Sequence, residues 1–307
     1  MNKTQNKKSD NRIDENMPKM NINWYPGHMA KTKRQMIEDS KLIDVVVEIL
    51  DARIPKSSQN PDIAEIIKNK KRIIVLNKSD LADEKETRKW IEYFKKKDIT
   101  AIEADSNQGK GIEQVKKAIE EIMKEELKLQ NEKGRIRKTI RVMIIGIPNV
   151  GKSSFINRIS KKTAMTVGNK PGVTKQKQWI RIGNQIELLD TPGVLWPKFE
   201  SEEVGLNLAY TGSIKDDVIE RTEVAYTLIQ YLDKNYPEKL YEKYKITTEN
   251  LEKIKNHPQY YLELMYLIGR KRGALISGGN IDEEKVANII LDDFKNGKIG
   301  KITLEKV

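Results

Sequence analysis

Gly146-Ile147-Pro148-Asn149-Val150-Gly151-Lys152-Ser153 constrains the fold of this chain more than any other stretch. The apolar run Arg141–Ile145 precedes it, and Ser153–Ser160 after it has helical composition. A strand, a loop with glycine at its first and sixth positions, and Lys-Ser opening a helix together make the P-loop pattern. Gly146 and Gly151 let the backbone curl, so that N–H groups of the loop, those of Val150 and Gly151 included, face phosphate oxygens. Lys152 neutralises the outer phosphates and serves catalysis by doing so. Ser153 offers a hydroxyl to Mg2+, and Ser154 extends the helix N-terminus whose dipole favours an anion. A chance glycine-rich turn would not require those flanks.

Two further motifs depend on this one. Asp190-Thr191-Pro192-Gly193 follows a strand, as the second phosphate motif D-x-x-G should. Asp190 would hold Mg2+ through water, and the Gly193 N–H would sense the γ-phosphate. Asn77-Lys78-Ser79-Asp80 fits N-K-x-D directly after the strand ending at Leu76. A carboxylate at Asp80 accepts both hydrogen bonds from guanine N1 and N2, a donor pair that adenine lacks. Asn77 would brace the loop and the Lys78 stem would lie on the base. A plain solvated turn is the competing reading, since Asn, Ser and Asp favour turns. Asp105-Ser106-Asn107 ends the next strand, where a base-backing loop belongs; Ser106 is the candidate there, and a turn explains the segment nearly as well. Between the phosphate motifs, Lys170-Pro171-Gly172-Val173-Thr174 offers Thr174 as a switch ligand of Mg2+ and nucleotide, against a simple Pro-Gly turn.

The order of these motifs is unusual. The base-reading motif at 77–80 precedes the P-loop at 146–153 and D-T-P-G at 190–193. Joining old termini and opening a surface loop elsewhere rebuilds the same sheet in this order. Strands expected over Leu42–Leu50, Arg72–Leu76, Ile99–Glu103, Gln178–Ile182 and Gln185–Leu189 alternate with helical stretches, which predicts a doubly wound, mostly parallel α/β sheet. Strand signals stop near Gly193, and the pattern is helical from Ser201. Asp216, Pro237, Pro258 and Asp282 sit where helices start, and Gly273 and Gly297 where they stop. The expected organisation is a basic, disordered tail at 1–22, a nucleotide domain at 23–200 and an all-α domain at 201–307.

Composition narrows the partners. Lys plus Arg number 57 against 45 Asp plus Glu, a net charge of +12, which favours a polyanion such as nucleic acid. There is no cysteine, so disulfides, thiolate zinc sites and cysteine nucleophiles are excluded. The longest apolar run is too short to span a bilayer, and no anchor or lipidation motif points to a membrane.

Asn23-Trp24-Tyr25-Pro26-Gly27-His28-Met29, Asp51-Ala52-Arg53-Ile54-Pro55, the permuted order and Gly269-Arg270-Lys271-Arg272-Gly273 together identify a resemblance. Over about residues 20–307 the chain resembles the ribosome biogenesis GTPase A family of circularly permuted GTPases. The resemblance implies a monomeric cytoplasmic GTP hydrolase that cycles between GTP and GDP. It implies late action in large-subunit assembly, binding to 23S rRNA and activation by the pre-50S particle. It assigns RNA contact to Arg270, Lys271 and Arg272, with Lys295, Lys298 and Lys301 in the same basic group; a solvated charged face is the competing explanation.

Catalysis by these residues has a gap. The position just after D-x-x-G, where many GTPases keep a water-orienting glutamine, is Val194, whose side chain cannot hydrogen-bond. His28 matches the catalytic histidine proposed for the family, and an imidazole orients or deprotonates water; an RNA-facing histidine is the alternative. Asn149 matches GTPases that bind K+ where an arginine finger would sit, against a simple loop asparagine. An RNA-binding scaffold with incidental turnover stays open as the rival to an enzyme.

Overall fold

A computed structural model describes residues 28–67, 70–132, 139–160, 165–166, 179–183, 185–215 and 219–307. The sheet is built from β1 (Val45–Asp51), β2 (Lys71–Asn77), β3 (Thr100–Glu103), β4 (Ile140–Ile145), β5 (Met165–Thr166), β6 (Trp179–Ile182) and β7 (Ile186–Asp190). Their order across the sheet is β3-β2-β1-β4-β7-β6-β5. The pairs from β3 through β7 are parallel, whereas β6 and β5 add antiparallel strands at one edge. Every residue of β1 is buried, as expected of a parallel strand covered on both faces. Even Glu48 is buried, and Arg72 Nε donates to its Oε2 at 2.8 Å. Burial pushes the Glu48 carboxyl up, and Arg72 offsets part of that rise.

The parallel arrangement explains why motifs scattered along the sequence converge. Asp51, Asn77, Glu103, Ile145 and Asp190 are the last residues of five parallel strands. Their following loops therefore leave the same edge of the sheet, where open α/β sheets place ligands. The helices α1 (His28–Ser40), α2 (Ile63–Ile67), α3 (Glu84–Lys95), α4 (Ile112–Glu132) and α5 (Lys152–Ser160) accompany these strands. Asp83 caps α3 by accepting from the Lys85 and Glu86 amides, which fixes the chain just beyond the base-reading loop.

From Ser201, which caps α6 (Glu202–Tyr210), the chain is helical: α7 (Arg221–Asn235), α8 (Pro237–Tyr244), α9 (Thr248–Ile254), α10 (Tyr260–Arg272) and α11 (Glu283–Lys295). The expected starts at Pro237 and Asp282 are observed, Asp282 as the cap of α11, and Gly273 ends α10 in the left-handed region. Near Pro258 the helix starts later, at Tyr260, because Gln259 takes a non-helical backbone and acts as the N-cap. The expected start at Asp216 lies outside the described residues. Helix α4 continues to Glu132, and 133–138 are outside the described residues. Residues after α11 return to the sheet. The Ile302 amide donates to Leu81 O at 2.9 Å, the Leu304 amide to Arg53 O at 2.8 Å, and Trp90 Nε1 to Glu305 O at 3.1 Å. One hydrophobic cluster runs from β1 to Leu304, so sheet and helices share a core.

Candidate functional site

The P-loop spans the exit of β4 and the first turn of α5. Lys152 is buried, and its ammonium donates to Gly146 O at 3.0 Å and Ile147 O at 2.8 Å. Burial pushes this lysine down to about 8, partly countered by Asp190. Burial in turn raises the Asp190 carboxyl, against the charge of Lys152 and an amide bond from Thr191. Gly193 closes on the same group: a Cβ there would stand 2.8 Å from both Lys152 Nζ and the Pro148 nitrogen. The two phosphate motifs thus meet at Lys152. Ser153 and Ser154 are exposed at the start of α5, and Val150 is buried beneath the loop. Asn149 takes a positive φ of 61° and donates its amide nitrogen to Gly212 O at 2.6 Å.

The base-reading loop joins this group through Asn77. Its Nδ2 donates to Val150 O at 2.8 Å. Its Oδ1 accepts from the Ser106 amide at 3.1 Å and the Ser106 hydroxyl at 2.7 Å. One buried side chain therefore knits the P-loop, N-K-S-D and the third loop together. Gly151 shows how tight that joint is. Its φ is 93°, and a Cβ would collide with Asn77 Nδ2. Only glycine satisfies both demands at low cost. Asn77, Lys78, Asp80, Ser106, Gly151 and Ser154 line an open pocket of about 310 Å³. Asp80 is exposed at its mouth, and desolvation together with Asp105 raises its carboxyl. Lys295 and Asn296, at the end of α11, also line this pocket. Sequence reading did not place them there, because nothing local marks a helix end so far along the chain as a neighbour of the N-K-S-D loop.

Comparison with known proteins decides the family. A family model described as "50S ribosome-binding GTPase" matches residues 141–265. Ribosome biogenesis GTPase A of Bacillus cereus is 47% identical over 286 residues, covering 93% of this chain and 94% of that protein. The Thermotoga maritima protein of the same name is 34% identical, again covering 93% and 94%. The chain belongs to the ribosome biogenesis GTPase A family. Among solved structures, a GDP-bound YlqF is similar at a TM-score of 0.63 and 27% identity, over 89% of this chain and 99% of that one. A GNP-bound YlqF from T. maritima gives 0.58 and 29%, over 90% and 98%. As a member of the ribosome biogenesis GTPase A family, the chain is a GTPase.

GTPases of this kind use Mg2+. Ser153 brings a hydroxyl and Asp190 a carboxylate, an all-oxygen donor set that fits a hard divalent ion completed by water and phosphate. No cluster of three or more His, Asp or Glu that could hold a metal ion occurs among the described residues. Thr174, the switch candidate, lies outside the described residues. His28 opens α1, and its side chain is outside them too. In the basic group, Arg270 faces Glu263 at 3.7 Å, while Arg272 and Lys298 face Asp293 at 4.0 and 3.6 Å. Lys301 pairs with Glu84 at 2.5 Å. Arg270, Lys271 and Arg272 are exposed, whereas Lys295 lines the pocket beside Asn77 and Asp80.

If Asp80 reads guanine, Asp80→Asn lowers GDP affinity about a hundredfold and lets xanthosine diphosphate bind, since an amide no longer accepts from both N1 and N2. Competition titration with the two diphosphates measures it; unchanged selectivity removes Asp80 from the base site.

Proposed function

We propose that this GTPase is an assembly factor of the large ribosomal subunit, acting late in 50S maturation and activated on the pre-50S particle. The observation that carries the nucleotide half is Asn77, which bridges Val150 and Ser106 and so unites phosphate and base loops in one pocket. The assembly half is supported by the names of the relatives and of the matching family. In this reading Asn77, Lys78, Asp80 and Ser106 hold guanine. Asn149, Val150, Gly151, Lys152, Ser153, Ser154 and Gly193 hold phosphates, with Thr174 closing over them. Ser153, Thr174 and Asp190 hold Mg2+, Asn149 supports K+, and Arg270, Lys271 and Arg272 contact 23S rRNA. The factor works as a cytoplasmic monomer; no described helix is long and apolar enough to cross a membrane. Residues 23–200 form the GTPase unit and 201–307 the helical, RNA-binding one.

His28 is the water-orienting residue of this proposal. Val194 has a buried side chain, and its carbonyl accepts from Asn60 Nδ2 at 2.9 Å. Lys33 and Met36 of α1 share a small cavity with Gly146 and Val194. His28 opens the same helix, roughly 7.5 Å along its axis from Lys33 at 1.5 Å per residue. That geometry supports delivery of an imidazole to the γ-phosphate side. The buried Val194 also favours the rival, a nucleotide-locked RNA scaffold with incidental turnover.

Turnover of GTP with and without 50S subunits in K+ buffer, for wild type and His28→Ala, separates the two. The enzyme reading expects strong stimulation by 50S and a loss of about 10²–10⁴-fold in His28→Ala. Equal, negligible rates in all four cases would leave the scaffold.

A further inference from the structure

We propose that Lys295, at the C-terminal end of α11, is a nucleotide-binding residue: the helical part of the chain supplies a cation to the α-phosphate side of the guanine nucleotide. The inference rests on the reading of the N-K-S-D pocket as the base site.

Three observations converge on it. Lys295 and Asn296 line the same pocket as Asn77, Asp80 and Ser154. The Lys295 stem passes close to Gly212: its Cε, Cδ and Nζ would lie 3.3, 3.5 and 3.6 Å from a Cβ on that residue. The carbonyl of Gly212 accepts from Asn149 of the P-loop at 2.6 Å. The lysine side chain therefore runs between the P-loop and the base loop. Its backbone is fixed as well. Arg53 donates from one nitrogen to Phe294 O at 3.3 Å and Lys295 O at 3.2 Å. Asp51 holds that guanidinium and also takes the ammonium of Lys78 at 3.0 Å. The end of α11 is thus tied to the loop that reads the base.

The chemistry selects the phosphate. A nucleotide presents its negative charge on phosphate oxygens, and the ammonium of Lys152 is turned to the P-loop carbonyls of Gly146 and Ile147. The stretch near Ser154, which joins the base region to the P-loop, lies on the pocket wall that Lys295 shares. An ammonium there gains a charge-assisted hydrogen bond. The arrangement also gives the helical part direct knowledge of nucleotide occupancy, without any signal through Thr174 or Gly193.

Calorimetric titration of GDP in Mg2+ tests this on the full chain. Lys295→Met, which keeps the stem against Gly212, is expected to weaken GDP about tenfold, the loss of one hydrogen bond to a charged group. Lys295→Glu is expected to weaken it about a hundredfold, and Lys295→Arg to stay within about threefold of wild type. Thermal melts without nucleotide check folding, and the arginine variant separates charge from packing. GDP affinities within twofold of wild type for both Lys295→Met and Lys295→Glu overturn the proposal if Asp80→Asn still alters base selectivity. Unaltered selectivity in Asp80→Asn instead removes the base-site reading, and the proposal with it.

Discussion

Lys152→Ala is expected to weaken GTP and GDP binding on the order of a thousandfold while leaving the nucleotide-free protein close to wild-type stability. The affinity loss corresponds to about two hydrogen bonds to charged phosphate oxygens. The stability expectation comes from burial. Lys152 sits in a dry environment, with only carbonyls and the charge of Asp190 to compensate its ammonium. Its fall from 10.5 to about 8 corresponds to roughly 3 kcal/mol of cost for keeping it charged. Below pH 8 the lysine is protonated both folded and unfolded, so the folded chain carries that cost in full. Between pH 8 and the unfolded value near 10.5, the unfolded chain binds more protons, and stability rises with pH. Deleting the side chain removes the cost but leaves a void and two carbonyls without their donor.

Phosphate reverses the sign. A bound triphosphate favours the ammonium, so affinity is flat below pH 8 and declines above it. GDP binding at pH 8.5 should therefore take up a proton, read as a dependence of binding enthalpy on the ionisation enthalpy of the buffer. Lys152→Met should abolish that dependence. Micromolar GDP affinity retained in Lys152→Ala would undo the phosphate-loop assignment.

Arg53→Met is expected to cost about 3–5 kcal/mol of stability, the usual penalty for stripping the partner from a buried charge. Arg53 is 1% exposed and Asp51 fully buried. The two meet in a forked pair, Nε to Oδ1 at 3.0 Å and Nη2 to Oδ2 at 2.9 Å. Burial pushes the Asp51 carboxyl up; Arg53 and Lys78 outweigh it and hold the group well below the usual carboxylate range. Its stabilising contribution is therefore present in full above the ordinary carboxylate value of 3.8 and lost as pH falls from there through the depressed one. Arg53 also stacks over the Phe294 ring at 5.4 Å and caps the last carbonyls of α11, where a cation opposes the negative helix end. Urea denaturation gives the stability change, and the double variant Asp51→Asn/Arg53→Met should recover much of it because no charge is then stranded. A midpoint shift equivalent to under about 1 kcal/mol for Arg53→Met would mean that water reaches Asp51, against the burial argued here.

The Asp51-Ala52-Arg53 segment shows where sequence reading ran out. The segment was legible as one of those that carry the family resemblance, but the grip of Arg53 on α11 was not. The P-loop, D-T-P-G and N-K-S-D were legible because phosphate and guanine chemistry dictates residue types at fixed local spacing. The strands β1, β2 and β4 were legible because burial on both faces demands unbroken apolar runs. Ser106 was a weak signal in the sequence; its bond to Asn77 is a fact of strand order. β5 escaped notice because two residues carry no period, and α2 because a five-residue helix is set by its neighbours.

The sequence by itself determined the chemistry of each loop, the permuted order and the α/β class. Only the tertiary structure decided that Asn77 bridges Val150 and Ser106, that Arg53 holds α11, and that Lys295 lines the pocket beside Asn77 and Asp80. Local spacing encodes what a short segment can do alone. Contacts between segments far apart along the chain arise from the parallel sheet, which brings its five strand ends to one edge, and from the shared core that returns the last residues to it.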